Sequence, residues 1–177
     1  MSHRLTKTDW IRHGLRTLAA EGPHALKVGP MAEKLKVSRG SFYWHFADIA
    51  EFRSELLRNW QERSTEQVIE EIANKAGRDR LRYLLRRAFV EKRSLDRAIR
   101  SWAAEDDDVA AAVVAVDARR IGYIAKLLVD AGVESSKAPP RATFLYWAYL
   151  GHAAMTDPRH SAIAASAMDD ISTLFET

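Results

Sequence analysis

Val28-Gly29-Pro30-Met31-Ala32-Glu33-Lys34-Leu35-Lys36-Val37-Ser38-Arg39-Gly40-Ser41-Phe42-Tyr43-Trp44-His45-Phe46 is the stretch that decides the fold. Pro30 suits the first turn of a short helix, where its missing N–H costs nothing. That helix is expected to run to Leu35, and Lys36-Val37-Ser38 to make a tight turn. Ser38 stands as N-cap of a second short helix, Arg39 to His45. Two short helices joined by a tight turn lay one helix into the major groove of double-stranded DNA. Met31, Ala32 and Leu35 share one side of the first helix and are expected to pack on Ile11 and Leu15. The small Ala32 is expected to let two helices cross closely. Val37 plugs the turn, and Phe42 and Phe46, four apart, anchor the second helix.

The other face of that second helix presents Arg39, Ser41, Tyr43, Trp44 and His45. Arg39 has the reach for a two-pronged contact to guanine O6 and N7, which discriminates bases by about 1–3 kcal/mol. Ser38, Ser41 and Tyr43 carry hydroxyls for phosphate oxygens, which set register without reading sequence. Trp44 and His45 suit base edges or thymine methyls. Lys27, Lys34 and Lys36 add positive charge for the backbone. A Phe-Tyr-Trp-His-Phe run alone is ordinary core material. The helix-turn-helix spacing before it is what makes part of the run a DNA-facing surface.

Charge agrees with this placement. Residues 1–60 hold ten Lys/Arg against six Asp/Glu, while the rest of the chain holds 17 against 18. The excess of the +3 net charge therefore sits with the helix-turn-helix, as in a polyanion-binding module joined to a near-neutral body.

Working outward, no segment alternates as a half-buried strand would, so the chain reads as all-α, with about nine helices. The first runs from about Thr8 to Ala20 and ends at Glu21-Gly22-Pro23. Asp48 caps a helix carrying Ile49, Phe52, Leu56 and Trp60 inward, continuing towards Ala73. After a break at Lys75-Ala76-Gly77, helices are expected over 78–92, 95–104 and 108–131. Another is opened by Pro139-Pro140 and runs to Met155. Asp157-Pro158 breaks the chain again, and a last helix spans 160–175. Residues 1–47 form the expected DNA-binding domain, and 48–177 a helical ligand-binding and dimerisation domain.

Trp10-Ile11 through Gly22 to Val37-Ser38-Arg39-Gly40-Ser41-Phe42-Tyr43-Trp44-His45-Phe46 resembles the DNA-binding domain of the tetracycline-repressor (TetR) family. A looser likeness to one branch of that family continues through Arg97 to Trp102 and Val116 to Arg120. The resemblance implies a cytoplasmic homodimer on a roughly palindromic operator, usually a repressor, usually released by a small ligand in the C-terminal domain. It places Arg39, Ser41, Tyr43, Trp44 and His45 on the DNA-facing helix, with Tyr43 as a phosphate contact. The chain departs from the pattern at two places. Ile49 stands where many members carry a phosphate-binding Lys or Arg. Val28 and Gly29 stand where many carry Thr or Ser followed by Arg. Lys27 and Lys36 are the residues placed to compensate.

In the later part, the helix from Arg141 to Met155 is apolar nearly all round, so it must be buried nearly all round. Phe144, Trp147, Ala148, Gly151, His152 and Met155 form one stripe. Ile163, Ala164, Ala167, Ile171 and Leu174 form a matching face on the last helix. Together they suit a four-helix bundle across a twofold axis; the alternative is a helix central in the monomer. Trp60, Phe89, Trp102, Tyr123 and Trp147, with Tyr83 and with Arg86 or Arg120 as anion partner, are candidates to line a ligand cavity, against the simpler reading that helical aromatics are core.

The chain has no cysteine, which excludes disulfides, zinc-thiolate sites and cysteine nucleophiles and fits a reducing cytoplasm. Met1 to Lys7 is polar and basic, unlike a signal peptide. No Gly-rich phosphate loop, serine elbow or catalytic carboxylate pair is present, so no enzyme activity and no cofactor or metal is expected. Glu105-Asp106-Asp107-Asp108 reads as a cap for the long helix. Three functions remain in play: a ligand-responsive dimeric repressor, a DNA-binding dimer without ligand, and an all-helical ligand-binding protein or enzyme.

Overall fold

The computed structural model describes residues 5–75, 79–90, 94–155, 163–164 and 166–176. Among them every regular element is helical: α1 Lys7–Glu21, α2 Val28–Lys34, α3 Arg39–Tyr43, α4 Ile49–Gln61, α5 Gln67–Ala73, α6 Asp79–Val90, α7 Ser94–Ala103, α8 Asp107–Asp130, α9 Ala138–Ala154 and α10 Ala167–Glu176. A wide π-turn, Glu62–Glu66, joins α4 to α5 without a break. Helical structure is thus continuous along the sequence from Ile49 to Ala73, as its pattern suggests.

Helix ends follow local chemistry. Thr6 and Asp9 close a capping box on α1, the Asp9 N–H donating to Thr6 Oγ1 and the Thr6 N–H to Asp9 Oδ2, so two otherwise unpaired donors are satisfied. Asp48 accepts the Glu51 N–H at 2.8 Å and starts α4. Asp106 accepts the N–H groups of Asp108 and Val109, both at 3.2 Å, so that acidic run does cap the long helix. Ser38 differs. Its backbone is extended, as a cap requires, but its hydroxyl makes no cap bond.

Three boundaries are corrected. The helix around Pro30 begins at Val28, so Pro30 is its third residue, still within the turn whose N–H groups lack partners. The recognition helix stops at Tyr43, leaving Trp44 as its cap and His45 beyond it. The last helix begins at Ala167, and Ile163 and Ala164 precede it. Residues 160–162, the break at Asp157-Pro158, and residues 76–78 and 91–93 lie outside the described residues.

By packing, the chain groups into two compact units, residues 1–64 with 94–113, and residues 65–93 with 114–177. The first unit holds the helix-turn-helix. Its core contains Trp10, Leu18, Phe42, Phe46, Phe52, Leu56 and Trp60, all nearly fully buried. Phe42 meets Trp10 and Phe52 edge-on at 5.3 Å each, and Phe46 meets Phe52 at 5.0 Å, the offset geometries aromatic quadrupoles favour. Helix α7 packs along α1 and is tied to α4 twice. The Trp60 indole donates to the buried Asp96 carboxylate at 2.6 Å, and the Arg53 guanidinium lies 5.8 Å from the Trp102 ring centroid.

The second unit is built on Leu81, Leu85, Ile124, Leu128, Leu145, Tyr146 and Met168, with Val68, Ile72 and Leu127 beside α5. Arg119 makes a two-pronged bond to Glu66, and Arg120 donates to the buried Thr65 hydroxyl at 3.0 Å. Both hold the end of the π-turn to α8.

Candidate nucleic-acid interface

The turn between α2 and α3 orients the recognition helix. Helix α2 ends in a Schellman motif: the Val37 N–H donates to Ala32 O and the Lys36 N–H to Glu33 O, both at 3.0 Å. The motif needs a left-handed residue, and Lys36 supplies it at φ 57°. This position usually favours glycine, because a β-carbon crowds the following carbonyl. Val37 follows half-buried, in the plugging position read from sequence.

Phe42 and Phe46 are buried, as their spacing implies, and this turns the rest of α3 outward. Tyr43 is 58 % and Trp44 75 % exposed, which is large for aromatic side chains in a packed domain. Arg39, Ser38, Lys27, Lys34 and Lys36 are exposed as well, and Ser41 is half-buried. Lys34 is held by Glu21 at 2.5 Å, so part of its charge is spent within the protein. His45 is placed differently from its neighbours. It is half-buried, with Nε2 2.8 Å from Leu5 O, so that nitrogen serves the N-terminal segment. Ile49 is half-buried at the start of α4 and brings no charge there.

One feature of this domain escaped the sequence reading. A β-carbon on Gly14 would stand 2.5 Å from Phe52 Cζ and 3.0 Å from Leu56 Cδ2. The close crossing of α1 and α4 therefore depends on Gly14. The visible signal was a glycine four residues after Trp10 and four before Leu18, on the apolar side of a helix.

Residues 11–56 match the family model of bacterial regulatory proteins of the tetR family. The chain carries a TetR-family DNA-binding domain. Among solved structures, a putative transcriptional regulator from Saccharomonospora viridis in complex with choline is similar at a TM-score of 0.76 and 17 % identity, with 96 % of this chain and 94 % of that one covered. A putative TetR-family transcriptional regulator from Rhodococcus sp. is similar at 0.65 and 18 %, with 99 % and 98 % covered. At such identities the likeness speaks for the fold. No curated protein matches the chain significantly. Of the positions that the resemblance places on the DNA-facing helix, Arg39, Tyr43 and Trp44 are exposed, whereas Ser41 and His45 are half-buried.

The residues expected around a ligand are dispersed. Trp60 and Trp102 belong to the first unit and are buried there, with their indole N–H groups donating to Asp96 and Asp106. In the second unit, the Arg86 guanidinium is bound to Asp169 at 2.7 and 2.9 Å. Phe89 stacks obliquely on His152 at 5.3 Å. The Tyr123 hydroxyl donates to Ile69 O at 3.3 Å, and burial raises its pKa above the usual value. Trp147 is 65 % exposed. Tyr146, unflagged by the sequence as a polar centre, is buried and donates to Asp117 at 2.6 Å.

Helix α9, expected to be buried nearly all round, is buried along one side only in the single chain. Leu145, Tyr146 and Tyr149 enter the core, while Phe144 (59 % exposed), Trp147, Ala148, Gly151 and Met155 are open to solvent, with His152 half-buried. On α10, Leu174 is 72 % exposed, and Ala167 and Ile171 are half-buried. Among the described residues no helix is long and apolar enough to cross a membrane.

Proposed function

We propose that this chain is a homodimeric transcriptional repressor that binds a palindromic operator and is released by a small molecule. The observation that carries it is the recognition helix: Phe42 and Phe46 buried beneath it, with Arg39, Tyr43 and Trp44 held outward on a domain of the TetR family. Residues 1–47 serve as the DNA-binding domain, and 48–177 serve ligand binding and dimerisation, with the protein acting in the cytoplasm, where the operator is. Arg39 reads base edges. Ser38, Ser41, Tyr43, Lys27 and Lys36 contact the backbone, and Trp44 lies against the groove with the exposed edge of His45.

A second copy covers Phe144, Trp147, Ala148, Gly151 and Met155 of α9, together with Leu174 and Ile171 of α10 and the exposed Ile163 and Ala164. A stripe of this size without charge is what a subunit interface leaves bare in the single chain. Twofold symmetry then presents two recognition helices to two half-sites.

The effector is assigned to the second unit. Arg86 is already neutralised by Asp169, which argues against an anion there. Tyr83, Phe89, Tyr123 and Arg120 are the remaining half-buried candidates. A structurally similar regulator holds choline, and the Tyr146–Asp117 pair, with the Tyr149 ring 5.7 Å from that of Tyr146, is chemistry that suits a small cation.

The experiment is selection of duplexes from a randomised pool by the wild-type protein, followed by gel shifts at moderate salt. Arg39→Ala is expected to relax base preference and Tyr43→Phe to weaken binding evenly across sequences. Wild-type behaviour in both variants would remove the recognition-helix assignment.

A further inference from the structure

Arg39 and Gly29 meet across the turn of the helix-turn-helix. Arg39 opens α3, and its side chain returns over the first turn of α2. A β-carbon on Gly29 would stand 3.1 Å from Nη2, 3.4 Å from Nε and 3.5 Å from Cζ of Arg39. The guanidinium thus occupies the space that any side chain at position 29 would claim. Pro30, Ala32, Glu33 and Val37 line the same shallow groove. No hydrogen bond or ion pair among the described residues holds the Arg39 side chain, so packing on this bare stretch of α2 is what orients it.

We propose that Gly29 is a positioning residue for operator reading: the uncovered α2 backbone seats the Arg39 guanidinium and so sets the base pair and angle at which it reads. The physical reason is geometric. A two-pronged contact to guanine requires the guanidinium fork to lie in line with the base edge. A side chain seated before binding loses less rotamer freedom on binding and tolerates fewer misaligned bases. Gly29 acts through Arg39 and does not itself touch DNA. The departure from the family pattern at Gly29 is then a paired choice with Arg39.

The proposal rests on Arg39 reading bases, so its test includes both residues. Wild type, Gly29→Ala, Arg39→Ala and the double variant are compared on the duplex selected by wild type and on every single-base-pair variant of it. Alanine is the better helix former at position 29, so the fold is kept, and thermal melting by circular dichroism verifies this. Gly29→Ala is expected to change discrimination about ten-fold at the base pair that Arg39→Ala relaxes, and nowhere else. In the Arg39→Ala background the same change is expected to do nothing. A wild-type specificity profile for Gly29→Ala would overturn the proposal. An equal effect of Gly29→Ala with and without Arg39 would also overturn it, because Gly29 would then act independently. If Arg39→Ala leaves the profile intact, the base-reading assignment falls first and the seating proposal with it.

Discussion

At the scale of single residues, the backbone of Lys36 sets a stability cost against its proposed phosphate contact. A lysine at φ 57° is less stable there than glycine by roughly 1 kcal/mol. The turn geometry does not need its side chain, whereas the proposed phosphate contact does. Lys36→Gly is therefore expected to raise stability by about 0.5–1 kcal/mol in urea unfolding and to weaken operator binding with a shallower salt dependence. Binding equal to wild type would separate Lys36 from the phosphate backbone. His13 gives a pH-dependent case. Burial first, then the positive charges of Arg16 and Lys34, hold its pKa below the ordinary 6.5. Its Nε2 is buried without a hydrogen-bond partner. In the unfolded chain His13 binds a proton near pH 6.5, and in the folded chain only at lower pH. Its contribution is therefore complete above pH 6.5 and is lost as pH falls below that value. Urea unfolding at pH 7.5 and pH 5.5 is expected to show a smaller acid loss for His13→Gln than for wild type.

At the scale of elements, the crossing of α1 and α4 decides where the recognition helix stands. Phe52 lies at 0 % exposure between Phe42 and Phe46, so its ring has no room to retreat from a methyl group on Gly14. Gly14→Ala would ordinarily favour a helix, yet here it is expected to destabilise by about 1–3 kcal/mol through overpacking. Thermal denaturation compared with an alanine substitution at exposed Arg16 checks this. The same core shows how far sequence carries. Phe42 and Phe46 were legible as anchors because a four-residue spacing stays on one helix face. Ala32 is buried as expected, but the tight crossing sits at Gly14, because local spacing does not say which helix arrives opposite.

At the scale of the whole molecule, the proposed dimer rests on the exposed stripe of α9 and α10. Trp147→Glu places a charge at its centre, and burying that charge unpaired against a second copy is costly. Light scattering at micromolar concentration is expected to give a dimer for wild type and a monomer for Trp147→Glu, with operator binding lost alongside. A wild-type monomer would exclude this stripe as the interface. Because Trp147 is exposed in the single chain, the fold of the variant should be unaffected, and its circular dichroism melt tests that.

Local sequence carried the helical class, most helix ends, the helix-turn-helix and the buried face of α3. These follow from periodicity, turn chemistry and capping, which act within a few residues. Tertiary structure alone decided that Trp60 answers to Asp96 and Trp102 to Arg53, and that Tyr146 is tied to Asp117. It also decided that Arg86 is spoken for by Asp169 and that Arg39 rests on Gly29. Those partners come from elements brought together by packing, and the side chains that meet are chosen by the angle and depth of helix crossings. The stretch Val28 to Phe46 therefore named its own fold, while the seat of Arg39 on Gly29 became visible only once α2 and α3 were placed side by side.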